Sequence, residues 1–234
     1  MCQFISSSST KYGISSFGGL RHTILLSLTF LIASLPQLVA QQAPAREEAL
    51  SAVRAHFAAE QSGISPADLD ELIVTDMYTG RKSGLTYLYL QQSANGIPVR
   101  PATATVIFGK DGKLASVQSR FEQSIRKRLG PDEPSIDAIQ ALGKASDYLS
   151  LSLPLESVRI LETLDDAEQT TQFDPEGLAL EPVRARLRWV ALPKGPIRLV
   201  WEISWYEKTA AHSWVISIDA QTGEELERFD MVQH

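Results

Sequence analysis

Cysteine is almost missing: Cys2 is the only one in 234 residues. It precedes every stretch with folding periodicity, so a disulfide framework and a cysteine-based zinc site are both excluded within this chain. Histidine is nearly as scarce, with four in all, His22, His56, His212 and His234. No two stand four residues apart, so the chain lacks the pair of imidazoles one helical turn apart, beside a glutamate, that holds a hydrolytic zinc. A basic surplus is lacking too. Lys and Arg number 22 against 28 Asp and Glu, for a net charge of −6. Residues 1–40 hold Lys11 and Arg21 but no acid, so the remainder carries 20 bases against 28 acids, or −8. Phosphate neutralisation needs a basic face, and nucleic acid is therefore not expected as a partner. There is no Gly-x-Ser-x-Gly elbow, and Gly143-Lys144 has neither the preceding glycine nor the following hydroxyl residue of a phosphate loop.

What is present is ordinary for a globular chain: 44% hydrophobic, 21% charged and 8% aromatic side chains. Residues 1–22 are rich in serine and carry Lys11 and Arg21. An uncharged run from Thr23 to Leu35 follows, ended by Pro36, with small residues near Ala40. This order reads as a secretory signal peptide, residues 1–40, cut after Ala40. The run is shorter than the ~20 residues a membrane span needs, so an uncleaved anchor is the lesser alternative and no membrane association is expected after cleavage.

The remaining pattern is helix then sheet, twice. Leu50, Val53 and Phe57 form one apolar stripe over Glu47–Phe57, with Gly63 as the stop. Ser65-Pro66-Ala67-Asp68 has the cap serine, first-turn proline and acid of a second helical start. Leu72–Tyr78 reads as a strand. Thr86-Tyr-Leu-Tyr-Leu-Gln-Gln92 and Ile97-Pro-Val99 flank Asn95-Gly96, a hairpin dipeptide, and Thr103–Phe108 and Leu114–Val117 flank Lys110-Asp-Gly-Lys113. Residues 126–134, with Arg126-Lys127-Arg128, Gly130, Pro131 and Pro134, read as a linker. Ser135 is expected to cap a helix running to about Leu149, with Ile136, Ile139, Leu142 and Ala145 on its apolar side. Val158–Leu164 reads as a strand. Residues 165–183 hold six acids and no base, so a self-repelling loop is expected there. Alternation then resumes through Leu187, Trp189, Leu199, Trp201, Ile203 and Trp205, with Arg186, Arg188 and Glu202 on the other face. One dry face is implied, with the helix near 135–149 as its cover. The fold class is α+β: two small units of roughly 80 and 100 residues, each a helix packed on an antiparallel sheet and each able to form a core.

Thr86-Tyr-Leu-Tyr-Leu-Gln-Gln-Ser-Ala-Asn-Gly-Ile-Pro-Val99, followed by Gly109-Lys-Asp-Gly-Lys-Leu114, resembles the propeptide (FTP) motif of fungalysin- and thermolysin-type secreted zinc metallopeptidases. Arg198-Leu-Val-Trp-Glu202 and Ile216-Ser-Ile-Asp-Ala-Gln-Thr-Gly-Glu224 resemble the PepSY-like half of the same propeptides. The likeness spans about residues 45–232. It implies an FTP-like unit over 41–125, the linker 126–134 and a PepSY-like unit over 135–234. It also implies a non-catalytic module that inhibits such a peptidase or assists its folding, with the peptidase catalytic domain as partner in cis or in trans. Two alternatives stand beside it: the amino-terminal piece of a longer secreted metallopeptidase, and a free-standing extracytoplasmic binding protein.

No catalytic residue, cofactor or metal site is expected. His56 reads as a boundary residue of its helix and His212 as a solvated turn residue. Asp68, Asp70 and Glu71 suit a helix start better than a metal, and Arg126-Lys127-Arg128 suits a solvated linker better than a processing site. The exit segment from Leu226 to His234 is the candidate for filling a peptidase cleft by strand pairing. Asp230 and His234 are the two residues there able to approach an open zinc position. The plainer reading has Phe229 and Val232 complete a strand, with a tether after it.

Overall fold

Residues 43–60, 62–193 and 195–232 are described by the computed structural model; the expected signal peptide and His22 lie outside them. The apolar stripe does form a helix, α1 (Arg46–Ala59), which buries Ala49, Leu50, Val53 and Phe57. The Glu48 carboxylate accepts from the Ala45 N–H at 3.2 Å, which satisfies one of the amides left open at a helix start. The helix closes before Gly63, which sits in the turn beyond it with a φ of 76°. A 3-10 turn, Pro66–Leu69, follows as its cap residues predict.

Strands β1 (Leu72–Thr79), β2 (Thr86–Ala94), β3 (Ile97–Phe108) and β4 (Leu114–Ser119) then form an antiparallel sheet. At the β2–β3 turn Asn95 and Gly96 have φ of 53° and 75°, the left-handed pair that matches the twist of a two-residue hairpin. Ile97–Val99 and Thr103–Phe108 are one strand, not two, joined through a cis Arg100–Pro101 peptide. Leu88, Leu90, Val106 and Phe108 meet the α1 stripe in one core.

A short helix, α2 (Ile125–Arg128), occupies the start of the expected linker, with Arg126 paired to Glu71 and Arg128 to Glu122. Helix α3 (Ala138–Tyr148) is capped by Asp137 and not by Ser135. The Asp137 carboxylate accepts from the Gln140 N–H at 2.8 Å, and the Gln140 side chain accepts from the Asp137 N–H at 2.9 Å, a reciprocal box. Ser135 is instead committed elsewhere, its N–H donating to the Ala220 carbonyl.

The second set of strands is β5 (Arg159–Thr163), β6 (Thr171–Asp174), β7 (Val183–Ala191), β8 (Ile197–Tyr206), β9 (Ser213–Asp219) and β10 (Glu225–Asp230). Strand β6 corrects the loop expected over 165–183. Phe173 is fully buried, and the repulsion among the acids is relieved from outside the segment, by Arg159 on Asp174 and Arg188 on Glu168. Helix α3 sets Ala141, Leu142 and Ala145 against Trp201, Ile216 and their neighbours. Three buried indoles each donate to a carbonyl: Trp189 to Ala94, Trp201 to Ile136 and Trp205 to Leu178, as buried tryptophan requires.

The strand order is β1-β2-β3-β7-β8-β9-β10, with β4 on β3 and the β5–β6 pair on β7. Every strand-to-strand ladder among the described residues is antiparallel except one. Val99 and Arg100 of β3 run parallel to Trp189 and Val190 of β7, so β3 serves both sets of strands.

Gln92 anchors the first set. Its fully buried carboxamide donates to the carbonyls of Asp68 (2.9 Å) and Glu122 (3.1 Å) and accepts from the Glu122 N–H (2.7 Å). Its neighbour Gln91 points the other way and donates to the Val99 carbonyl. Gln92→Leu keeps the volume but orphans three backbone groups. We expect a loss on the order of 3 kcal/mol, read as a lower urea midpoint at unchanged slope.

Candidate functional site

Strand β10 is the last strand of the described residues, and charged side chains gather around its anchorage. Strand alternation predicts Arg186, Arg188 and Glu202 on a wet face. Arg188 and Glu202 are instead buried, at 6% and 4% exposure. The face is dry because opposite charges close over one another. Glu202 on β8 receives Arg100 from β3 at 2.8 Å, Arg186 from β7 at 2.8 Å and Arg188 at 3.7 Å. Arg188 also meets Glu168 at 2.5 Å. Burial and the adjacent Arg186 pull the Arg188 pKa down, against the pull of Glu168 and Glu202. Arg100 reaches further, donating to the Ser217 hydroxyl at 2.8 Å and pairing with Glu227 on β10. One guanidinium thus ties the first set of strands to β8, β9 and β10 together.

The far end of β10 has a second fastening. His212 Nδ1 lies 2.6 Å from Asp230 Oδ2, and Asp230 Oδ1 accepts from the N–H groups of Ser213 (3.1 Å) and Val232 (3.0 Å). The His212 ring stacks on Trp214 at 4.8 Å, and the Trp214 indole donates to Glu207 at 2.7 Å. His212, read as a solvated turn residue, is thus partnered in its turn, with 39% of its side chain still exposed. Hydrogen bonding to Asp230 raises the His212 pKa, and the same bond holds Asp230 down to about 2. Phe229, expected to complete a strand, does so and is 49% exposed, whereas Val232, expected with it, lies beyond the strand, which ends at Asp230.

The other sequence candidates fall into structural roles. Asp68 is buried; burial pushes its carboxyl up, but bonds from the Ser65 hydroxyl and the N–H groups of Ser65, Ile125 and Ser124 outweigh that and hold it below the usual range. It joins the 3-10 turn to α2. His56 sits 3.3 Å from Glu60 at the end of α1. His234 lies outside the described residues. Among the described residues no group of three or more His, Cys, Asp or Glu is placed to hold a metal, and no helix is long and apolar enough to cross a membrane.

Residues 70–121 match the Fungalysin/Thermolysin Propeptide Motif. The chain carries a propeptide motif of that type. The matched span holds Gln91, Gln92, both hairpin turns and Arg100, and the FTP propeptide is a non-catalytic region. Three fungal proteins are similar over a longer stretch. "Probable extracellular metalloproteinase 5" of Trichophyton verrucosum is 28% identical over 166 residues, covering 69% of this chain and 25% of its own length. "Extracellular metalloproteinase" of Pyrenophora tritici-repentis is 28% identical over 161 residues, covering 66% and 23%. "Extracellular metalloproteinase mep" of Aspergillus fumigatus is 26% identical over 162 residues, covering 66% and 24%. The chain spans about a quarter of the length of these curated relatives. A solved structure, the Bacillus megaterium YpeB C-terminal domain, aligns over 82% of this chain and 67% of its own at 15% identity and a TM-score of 0.37.

Two outcomes test the anchorage. Glu202→Ala leaves the arginines without their buried counter-charge and should cost about 3–5 kcal/mol. Arg126→Ala, which breaks the more exposed pair with Glu71, should cost under about 1 kcal/mol; equilibrium unfolding separates the two. For the His212–Asp230 pair, the histidine's contribution is complete below its ordinary 6.5 and is lost as pH rises through its raised value. The aspartate's contribution is complete above 3.8 and is lost as pH falls through about 2. Amide protection at Met231 and Val232 should therefore be greatest between about pH 4 and 6.5 and weaken on the alkaline side. In His212→Gln that alkaline weakening should vanish.

Proposed function

We propose that this chain is an exported, non-catalytic propeptide-type module that covers the cleft of a fungalysin- or thermolysin-like zinc metallopeptidase and assists the folding of its catalytic domain. The match of residues 70–121 to the propeptide motif carries the reading. The similarity to extracellular metalloproteinases and the lack of paired imidazoles in the sequence support it. Joined to a peptidase in cis, such a module meets the cleft at an effective concentration on the order of mM, so modest affinity suffices for latency. In trans it has to supply that affinity itself.

The contact is an extended one. Strand β10 is an edge, paired on one side to β9, and an edge offers main-chain groups for strand addition. Asp230 and His234 remain the proposed cleft contacts, with a physical condition on the first. The Asp230 carboxylate already accepts from Ser213 and Val232 and pairs with His212, so reaching a zinc ion requires those bonds to open.

The purified chain, mixed with a thermolysin-type peptidase, should inhibit it competitively and speed recovery of activity from denatured enzyme. Absence of both effects at micromolar chain overturns the reading, as does peptide-bond cleavage by the chain alone. An Asp230→Ala, His234→Ala double variant that inhibits as well as the parent discards the zinc contact and leaves the rest standing.

A further inference from the structure

Among the described residues four strands, β1, β4, β5 and β10, have a neighbour on one side only. Unpaired main chain at an edge invites another strand, and charges or irregular pairing are the usual guards. Asp76 and a register shift guard β1. Arg159, Glu162 and a shift guard β5. Glu225, Glu227, Arg228 and Asp230 guard β10. Strand β4, Leu114-Ala-Ser-Val-Gln-Ser119, also shifts register against β3, but it alone of the four contains no charged residue.

It is also the edge that faces a wall. The last turn of α1 and the loop after it stand across from β4, leaving a groove of about 520 Å³. Leu114, Val117 and Phe121 are only partly buried and belong to the same core as Phe57. The core therefore runs out to the rim of the sheet and stops one strand short of being covered. One end of the groove is closed by the Phe57–Phe121 ring contact at 5.4 Å and the bond from Gln123 to the Ser62 carbonyl at 2.8 Å. On its rim His56 and Glu60 face each other at 3.3 Å, whereas exposed Lys113 and Arg120 flank the strand at its two ends.

We propose that the groove between β4 and α1 binds an extended polypeptide segment of a partner protein as an added strand. The unpaired edge selects for extended main chain, and the partly buried Leu114 and Val117 select for apolar side chains on the groove side of the added strand. An uncharged strand between two cations selects for a neutral centre with acidic ends. This does not rest on the propeptide reading, since it uses a different edge from the exit strand.

The probe is the seven-residue peptide acetyl-Glu-Thr-Val-Thr-Val-Thr-Glu-amide, titrated into the ¹⁵N-labelled chain. Saturable amide shifts centred on Ala115–Ser119 and on the end of α1 are expected, with a Kd below about 1 mM. A version N-methylated at alternate amides on the pairing side should bind at least about tenfold more weakly, because strand addition depends on those N–H groups. No shifts at about 5 mM peptide, shifts centred on another edge, or equal binding of the methylated peptide would each overturn the proposal.

Discussion

The Arg100 guanidinium lodged against Glu202 is the contact on which the joining of the two sets of strands depends. Strand β3 belongs to the first set of strands by its turn and its core, yet Val99 and Arg100 lie beside β7. That parallel contact is two residue pairs long, little backbone with which to fix a register. The side chain supplies what the ladder lacks, reaching Glu202 on β8, Ser217 on β9 and Glu227 on β10. Buried ion pairs contribute little net stability compared with a hydrophobic replacement, but they penalise every arrangement that leaves one charge unpaired. Here the arrangement so selected is one in which the propeptide-motif strands and the carboxyl-terminal strands share a face.

What could be read from the sequence was local. Helix α1, both hairpin turns and the alternating rows of β7–β9 announce themselves within a few residues, because periodicity and turn chemistry act at short range. The anchors do not. Asp68 meets Ile125 across 57 residues, Gln92 meets Glu122 across 30, and Arg100 meets Ser217 across 117. Arg188 and Glu202 look like solvent-face residues until their partners arrive from three other segments. Strand β6 is hidden for a related reason: its acids repel within the segment, and the cations that answer them come from β5 and β7. Asp137 caps α3, while Ser135 turns its N–H to Ala220 and its hydroxyl to Gln221.

The residues of the propeptide-like motif have architectural roles. Gln91 and Gln92 face opposite ways and tie β2 to β3 and to the segments around Asp68 and Glu122. Asn95 and Gly96 turn the hairpin, and Asp111 accepts from the Lys113 N–H at the next turn. A motif made of turns and backbone-bonded amides marks a scaffold. The two surfaces of interest here are edges of different character, one charged and fastened, the other neutral and bordered by a helix.

The indole of Trp189 is buried in the second set of strands but gives its hydrogen to Ala94, at the end of β2. Any separation of the two sets exchanges that carbonyl for water at a fluorophore. The molecule thus carries an intrinsic optical gauge of its own cohesion, readable from emission wavelength without a label.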